Sequence, residues 1–449
     1  MRKAIPILLT FLLIFAMVGC SGQQSVSNAS NDSNAAANNG TGASKPAEGA
    51  KGDANEITML TLSGWDGLNP VIEEFEKKTG IKVKVEAYPF RQLFETIEVK
   101  LGSKSKEYDV ITVDGPLVSN YSVKGYLDPL DSYIPLEEQK AKWIESSILA
   151  GTYAGKLMAA PMNTSSQVLY YNKDIFEAKG ITPPPFDIDK RWTWEQVLEV
   201  AKQLTDENVF GFSFEQVSRA YQMLALSESL GAKALGDDGI TASGYINSDK
   251  SLEAAKFYYD LYNTHKVSPK ISAEESGDYF IAGKIAMFVG GTWNTKKFSE
   301  AGVNYGIAPH PYFEGHKVTT PTGSWHLGIN KYSTKKDAAA EFIRYVTIGE
   351  GSRLWFEGNH DLPSNLDILK QIEEDPKYDN FPDNVYRIAT YEAKNTAVPR
   401  PLTPGYLEWE TLFNKAYEDI KNGTDPKKAL DDVAVQMDRQ LKKYAGVNK

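Results

Sequence analysis

The side chains able to break bonds are scattered along this sequence rather than gathered. Its five histidines, at 265, 310, 316, 326 and 360, form no His-Glu-x-x-His pair that would hold zinc on one helix face. His310 and His316 are too far apart for one helical turn and stand beside Pro and Gly, so a loop is the simpler reading. No Gly-x-Ser-x-Gly elbow, phosphate loop or Gly-x-Gly-x-x-Gly after a strand occurs. Glu408 and Glu410 flank Trp409 and evoke a glycosidase's carboxylate pair. Neighbours two apart on a helix point in different directions, however, which predicts a solvated face instead. Asp237-Asp238-Gly239 lacks the alternate-position carboxylates of a calcium loop. The single cysteine, Cys20, excludes a disulfide framework within one chain and a cysteine-based zinc site. These residues predict no catalytic group, no metal and no cofactor. What stands out instead is aromatic: 8 Trp, 24 Tyr and 19 Phe, enough for a stacking surface, although a core of this size also absorbs many.

The elements that must position any such surface alternate between strand and helix. Ile57–Leu62 reads as a strand ending in the polar turn Ser63-Gly64-Trp65-Asp66-Gly67. A helix follows with Asn69 as its cap and Pro70 in first position, stopping at Gly80. Residues 81–87 alternate strictly, as a half-buried strand does. Phe90, Leu93, Phe94, Ile97 and Leu101 follow at helical spacing, ahead of an apolar strand over Asp109–Val113 that ends at Asp114. This β-α-β-α-β order implies parallel strands joined by helices, an α/β class. A second α/β region holds a capping box at Thr193 and Gln196 and a strand at Ile285–Val289. Long helices close the chain, one starting at Thr424-Asp425-Pro426. Trp192, Trp194, Trp355 and Trp409 fall on helical patterns and read as packing.

Length and charge bound the rest. At 449 residues the chain has room for two or three domains, and a net charge of −10 argues against a general nucleic-acid binder. Arg2 and Lys3 precede an apolar run over 4–18, too short to span a bilayer but shaped like a secretory signal. Met17-Val18-Gly19-Cys20 resembles a bacterial lipobox, in which cleavage leaves the cysteine as the lipid-bearing N-terminus. Met17 and Val18 depart from the commoner Leu and Ala or Ser. Residues 1–19 are therefore expected to be a lipoprotein signal peptide, with Cys20 lipidated. Of the 34 residues 21–54, 24 are Ser, Asn, Ala or Gly, so 20–54 is expected to form a disordered tether.

Three stretches resemble the family 1 extracellular solute-binding proteins of ABC importers, the group that includes maltose-binding protein. They are Leu169-Tyr170-Tyr171-Asn172-Lys173-Asp174-Ile175-Phe176 with Gly180, Pro184 and Thr193-Trp194-Glu195; Phe280-Ile281-Ala282-Gly283-Lys284-Ile285-Ala286-Met287 with Gly290-Gly291-Thr292-Trp293; and Gly323–Ile329 with the helix carrying Phe342 and Ile343. The agreement in order and spacing covers roughly 56–444. The resemblance implies two α/β lobes, each a mixed sheet flanked by helices, joined by hinge strands around a ligand. It assigns 55–163 and 316–372 to one lobe, and 164–315 and 373–449 to the other. It also implies a carbohydrate ligand, ABC permease subunits as partners, and a monomer held at the outer face of the cytoplasmic membrane by its lipid alone.

Within that resemblance the expected binding residues can be named. Open parallel sheets bind ligands beyond the carboxyl ends of their strands, and Trp65, Asp66, Asp114 and Trp293 fall there. A sugar offers apolar C–H faces and a rim of hydroxyls, which suit flat aromatic rings and carboxylate or amide groups. Trp65, Trp293, Trp325 and Tyr406 are the expected stacking groups; Asp66, Asp114, Asn163 and Arg400 are the polar ones. Arg400 lies in Val398-Pro399-Arg400-Pro401, which resembles a family segment near the cleft. A lipoprotein glycosidase, or a binding protein whose aromatic cage takes a cationic amine, remain as alternatives.

Overall fold

The computed structural model describes residues 55–323 and 325–447. The expected signal peptide, Cys20 and the tether lie outside the described residues.

Alternation builds the first sheet. Its strands β1 (Glu56–Leu62), β2 (Lys82–Tyr88) and β3 (Val110–Asp114) run parallel, joined by the helices Leu68–Thr79 and Phe90–Gly102. β2, at the edge, buries little more than Val83, whereas every residue of β3 is buried. β3 therefore reads as a continuous apolar run, as strands covered on both faces do. β4 (Leu127–Asp128), the hairpin β5 (Thr152–Tyr153) and β6 (Lys156–Leu157), and β7 (Ala160–Pro161) follow. After residues 162–166 the chain enters a second sheet, made of β8 (Gln167–Asn172), β9 (Phe210–Phe214), β10 (Ile285–Gly291) and β11 (Tyr305–Pro309). In that sheet β10 and β9 are parallel, and β8 runs antiparallel to both β10 and β11. The chain then returns through β12 (Thr320–Thr322) to β13 (Trp325–Asn330), which lies antiparallel between β3 and β4 in the first sheet and also pairs with β7. β14 (Ala397–Pro399) pairs with β12 in a separate two-stranded ribbon. Both large sheets are mixed, so the fold is α/β with its parallel units where the sequence places them.

Several local signals act as read. The capping box closes between Thr193 and Gln196, and Asp425 caps the helix Pro426–Leu441 with Pro426 in first position. Gly80 ends the first helix at a φ of 74°, a left-handed cap that suits glycine. The start of that helix differs from expectation. It begins at Leu68, and Asn69 does not cap it, because Leu68 N–H and Asn69 N–H already donate to the carbonyls of Trp65 and Asp66. Trp194, Trp355 and Trp409 are fully buried, and Trp192 packs half-buried against the core.

One buried ionic cluster holds three distant segments together. Arg191, just before the helix Trp194–Leu204, donates to Glu392 Oε1 at 2.5 Å and to the His310 carbonyl at 2.6 Å. Glu392 Oε2 accepts from Thr320 of β12 at 3.1 Å and also from Thr396. His310 lies in a loop as expected, but a buried one, with its ring edge-on to Trp194 at 5.4 Å. Burial, with the Arg191 charge beside it, lowers its pKa to about 3. The folded state therefore binds fewer protons than the unfolded state between about pH 6.5 and pH 3, and stability should fall as pH drops through that window. Urea unfolding at pH 7 and pH 4.5 should show the wild type losing more stability than His310→Gln; equal losses would remove His310 from the acid response.

Candidate functional site

Both large sheets aim strand ends at one cavity of about 660 Å³. Trp65 and Asp66 reach it from the turn after β1, Asp114 from the end of β3, and Trp325 from the start of β13. From the second sheet come Gln216 and Arg219 beyond β9, and Thr292, Trp293 and Lys296 beyond β10. Arg400 enters from the segment after β14. The volume lies within the usual range for small-molecule sites.

Aromatic rings form two groups. On the first-sheet side Trp65 meets Trp325 edge-on at 5.3 Å, and buried Trp355 behind it at 5.0 Å. Trp325 also lies edge-on to Phe90 at 6.0 Å and nearly parallel to Phe94 at 6.3 Å. Phe90 is 47% exposed, an unusual state for so large an apolar ring and one that a ligand face would relieve. On the second-sheet side Trp293 and Tyr221 stand 6.2 Å apart. Trp293 is set by its acceptor: its indole N–H donates to Glu215 Oε1 at 2.7 Å, while Gly291 N–H donates to Oε2 at 2.7 Å. A Cβ at Gly291 would come within 2.2 Å of the Trp293 ring, so only glycine lets the ring lie this close to the strand end. Burial raises the Glu215 pKa, against the opposing hydrogen bonds from Gly291, Asn294 and Trp293.

The polar groups divide into held and open ones. Arg400 grips Asp114 with both guanidinium nitrogens, at 3.0 and 2.5 Å, and donates to Tyr406 Oη at 3.2 Å. Its guanidinium also lies 5.6 Å from the ring centres of Tyr221 and Tyr406. Burial disfavours the Arg400 charge, but Asp114, Tyr406 and Glu410 together hold its pKa above the ordinary value. Asn163 is buried; its Oδ1 accepts from Trp325 N–H at 2.7 Å and its Nδ2 donates to Asp361 at 3.3 Å. Asp66 stands exposed at the cavity edge.

Seven of the eight expected binding residues thus line this cavity: Trp65, Asp66, Asp114, Asn163, Trp293, Trp325 and Arg400. Tyr406 stands behind the wall, fully buried, donating to Glu410 at 2.5 Å. Glu408 and Glu410 are not the solvated face expected of them. Glu408 is half-buried and accepts from Lys443 and Tyr444, and Glu410 is drawn inward by Tyr406 and Arg400. Sequence reasoning missed Phe90 as a cavity residue, together with Tyr221, Asn359 and Asp361. Phe90 was hidden in a regular helical spacing, and Tyr221 lies in a helix buried along nearly its whole length. Asn359-His360-Asp361, a polar run between a helix end and Leu362-Pro363, carried the one available signal. Among the described residues no cluster of three metal-ligating side chains occurs.

Two mixed sheets that direct their strand ends at a shared, aromatic-lined cavity define a solute-binding protein of the periplasmic-binding fold, a receptor rather than an enzyme. The chain belongs to the bacterial extracellular solute-binding protein family, whose profile matches residues 66–347. It is 26% identical over 398 residues to a galactooligosaccharide-binding protein of Bacillus subtilis (strain 168), covering 85% of this chain and 88% of that one. It is 22% identical over 411 residues to a maltooligosaccharide ABC transporter solute-binding lipoprotein of Streptococcus pneumoniae (strain ATCC BAA-255 / R6), covering 90% and 93%. Its fold matches an ABC substrate-binding protein of Listeria monocytogenes in complex with cycloalternan, with a TM-score of 0.76 and 25% identity over 86% of this chain and 99% of that one.

Proposed function

We propose that this protein captures an oligosaccharide in the cavity and hands it to the membrane subunits of an ABC importer, working as a monomer tethered outside the cell by lipid on Cys20. The observation that carries the ligand class is the pairing of aromatic faces on both walls with unevenly neutralised carboxylates between them. Rings cover sugar C–H faces, and carboxylates accept from hydroxyls. Relatives that bind galactooligosaccharide and cycloalternan support the same reading. The anchor is supported by the lipobox-like Met17–Cys20 and by the lipoprotein relative.

Motion supplies the mechanism. Residues 55–163 with 316–372 form one lobe, and 164–315 with 373–449 the other. The segments between the sheets act as the hinge and are laced by hydroxyls: Thr164 with Thr322 at 3.1 Å, Thr322 to the Ser165 carbonyl at 2.9 Å, and Gly323 N–H to Ser165 Oγ at 2.8 Å. A ligand touching both walls favours the closed form, and the permease reads that shape.

The mature chain with Cys20→Ser should gain thermal stability from a cognate oligosaccharide, by RT ln(1 + [L]/Kd). In it, Trp293→Ala should weaken binding about ten- to a hundredfold, as loss of a stacking platform does, with little change in ligand-free unfolding. Calorimetric titration and urea unfolding separate the two quantities. A large fall in ligand-free stability with near-normal affinity would make Trp293 a core residue instead.

A further inference from the structure

Asp361 is the cavity carboxylate whose surroundings leave the most undone. It sits half-buried on the segment after the helix Glu350–Asn359 and lines the cavity beside Asn163 and Trp325. Both of its hydrogen bonds fall on one oxygen: Oδ2 accepts from Asn359 at 3.0 Å and from Asn163 at 3.3 Å. Oδ1 has no hydrogen-bond partner among the described residues, and no cation forms an ion pair with the carboxyl there. Asp114, by contrast, is fully engaged by Arg400. A carboxylate in a cavity with a bare oxygen and no counter-charge is an acceptor awaiting a donor, since leaving it unsatisfied costs more than pairing it returns. Its position is fixed from two sides. Asn163 ties it to the Trp325 backbone. Gly67 meets the chain at Asn359, where a Cβ on Gly67 would lie 2.7 Å from the Asn359 nitrogen.

We infer that Asp361 is a specificity-determining residue whose Oδ1 accepts a hydrogen bond from a ligand hydroxyl, so that capture requires the carboxylate form. The inference rests on the oligosaccharide reading above and adds to it the residue that reads the hydroxyl. Burial raises the Asp361 pKa to about 6, against the two asparagine bonds. A ligand hydroxyl that donates to it favours the ionised form, so binding and deprotonation are linked. Affinity therefore falls as pH drops below about 6 and levels off above it. Nearby titratable groups are few. Tyr386, on the helix Val385–Asn395, is pushed up by burial and stays neutral throughout. His360, the next residue, is the competitor to separate, since burial and the Lys296 charge lower its pKa from the ordinary imidazole value. Lys296 and Asp66 at the edge, Arg219, which pairs with Glu274, and the Arg400–Asp114 pair complete the charged groups of the facing walls.

The test is calorimetric titration of the mature Cys20→Ser chain with galactotriose, maltotriose and cycloalternan between pH 7.5 and pH 5, for the wild-type site, Asp361→Asn and His360→Asn. For the sugars that bind, affinity in the wild-type site should fall about tenfold over that range. Asp361→Asn should bind about tenfold more weakly at pH 7.5 with the pH dependence gone, while His360→Asn keeps the slope. Asp361→Asn should unfold no more readily than wild type at pH 7, because the folded protein holds that carboxyl uneasily. The wild-type slope is measured on the native protein whatever the variant does, and a flat wild-type profile overturns the inference. Unchanged affinity and slope in Asp361→Asn would overturn it while leaving the oligosaccharide reading intact. Loss of the slope in His360→Asn would transfer the effect to the histidine and overturn it equally. Failure of all three sugars to bind at any pH would overturn the inference and the reading beneath it together.

Discussion

Glu392→Ala should cost about 3–5 kcal/mol of stability, the range for removing one partner of a buried ion pair. Glu392 has 0% exposure and Arg191 only 9%, so the guanidinium left behind would keep one good bond, to the His310 carbonyl, and lose its counter-charge. Thr320 and Thr396 would lose their shared acceptor as well. Because Thr320 belongs to β12, the damage falls on the ribbon that β12 forms with β14 between the two sheets. The pair itself need not be the most stable solution for that space. Arg191→Met with Glu392→Leu should recover most of the loss, because apolar side chains of similar volume avoid desolvating two charges. Urea unfolding midpoints at pH 7, with the slope checked for constancy, measure both quantities. A single-variant loss below about 1 kcal/mol would show that water reaches Arg191 once Glu392 is gone, and that the pair is not buried in the sense argued.

Much of the fold was legible because it rests on local chemistry. Strict alternation over 81–87 identified a half-buried strand, which lies at the sheet edge, and a continuous apolar run identified β3, which is covered on both faces. The capping box at Thr193 and the Asp425-Pro426 start each fix a helix end by a side-chain bond spanning three residues. Where a backbone turn did the same work, at Trp65–Asn69, the side-chain signal at Asn69 misled by two residues. The expected residues at strand ends, Trp65, Asp66, Asp114 and Trp293, were legible as cavity residues for a topological reason, since parallel strands deliver their following loops to one edge. Those four share a cavity with Asn163, Trp325 and Arg400.

What stayed hidden was set by tertiary contact. Phe90 and Leu93 look alike in a helical repeat, yet one is 47% exposed at the cavity and the other fully buried. Nothing in the sequence tells which helix face meets the core and which meets a cleft. Tyr221 sits in a helix with almost no polar face, so periodicity has nothing to report there. Glu410 looked solvated because its partner, Arg400, is ten residues away across a turn, and the next carboxylate in the network, Asp114, is almost 300 residues distant in sequence. Asp361 escaped for the same reason: what makes it distinctive is that, among the described residues, no cation pairs with it, which is a property of the assembled cavity.

Arg400→Met should have the broadest effect of any single change in the cavity wall, reducing both stability and affinity. The guanidinium is only 11% exposed and joins Asp114 at the end of β3, Tyr221 of the helix behind Trp293, and Tyr406 with Glu410 of the helix Tyr406–Lys421. Its fork matches the carboxylate bidentately, which a lysine ammonium does not, so Arg400→Lys should recover only part of the loss. Without the guanidinium, Asp114 and Glu410 face a poorly hydrated wall without their nearest counter-charge, and the Asp114 charge opposes ionisation of Glu410. The expected cost at pH 7 is about 3–5 kcal/mol. Its sign with pH follows from the carboxyls. Burial already raises the Glu410 pKa and the Arg400 charge opposes that rise; with Arg400 gone it should rise further, so the folded variant binds protons more tightly, and its deficit against wild type should shrink as pH falls from 7 towards 5. Affinity for a cognate sugar should drop at least tenfold at pH 7, because Tyr221 and Asp114 lose the group that fixes their places beside Trp293 and Trp325. Unfolding and titration of wild type, Arg400→Met and Arg400→Lys at pH 7 and pH 5 test each part. A deficit that grows on acidification would mean that the carboxylates find water when Arg400 leaves, and the wall would then be held by packing rather than by charge.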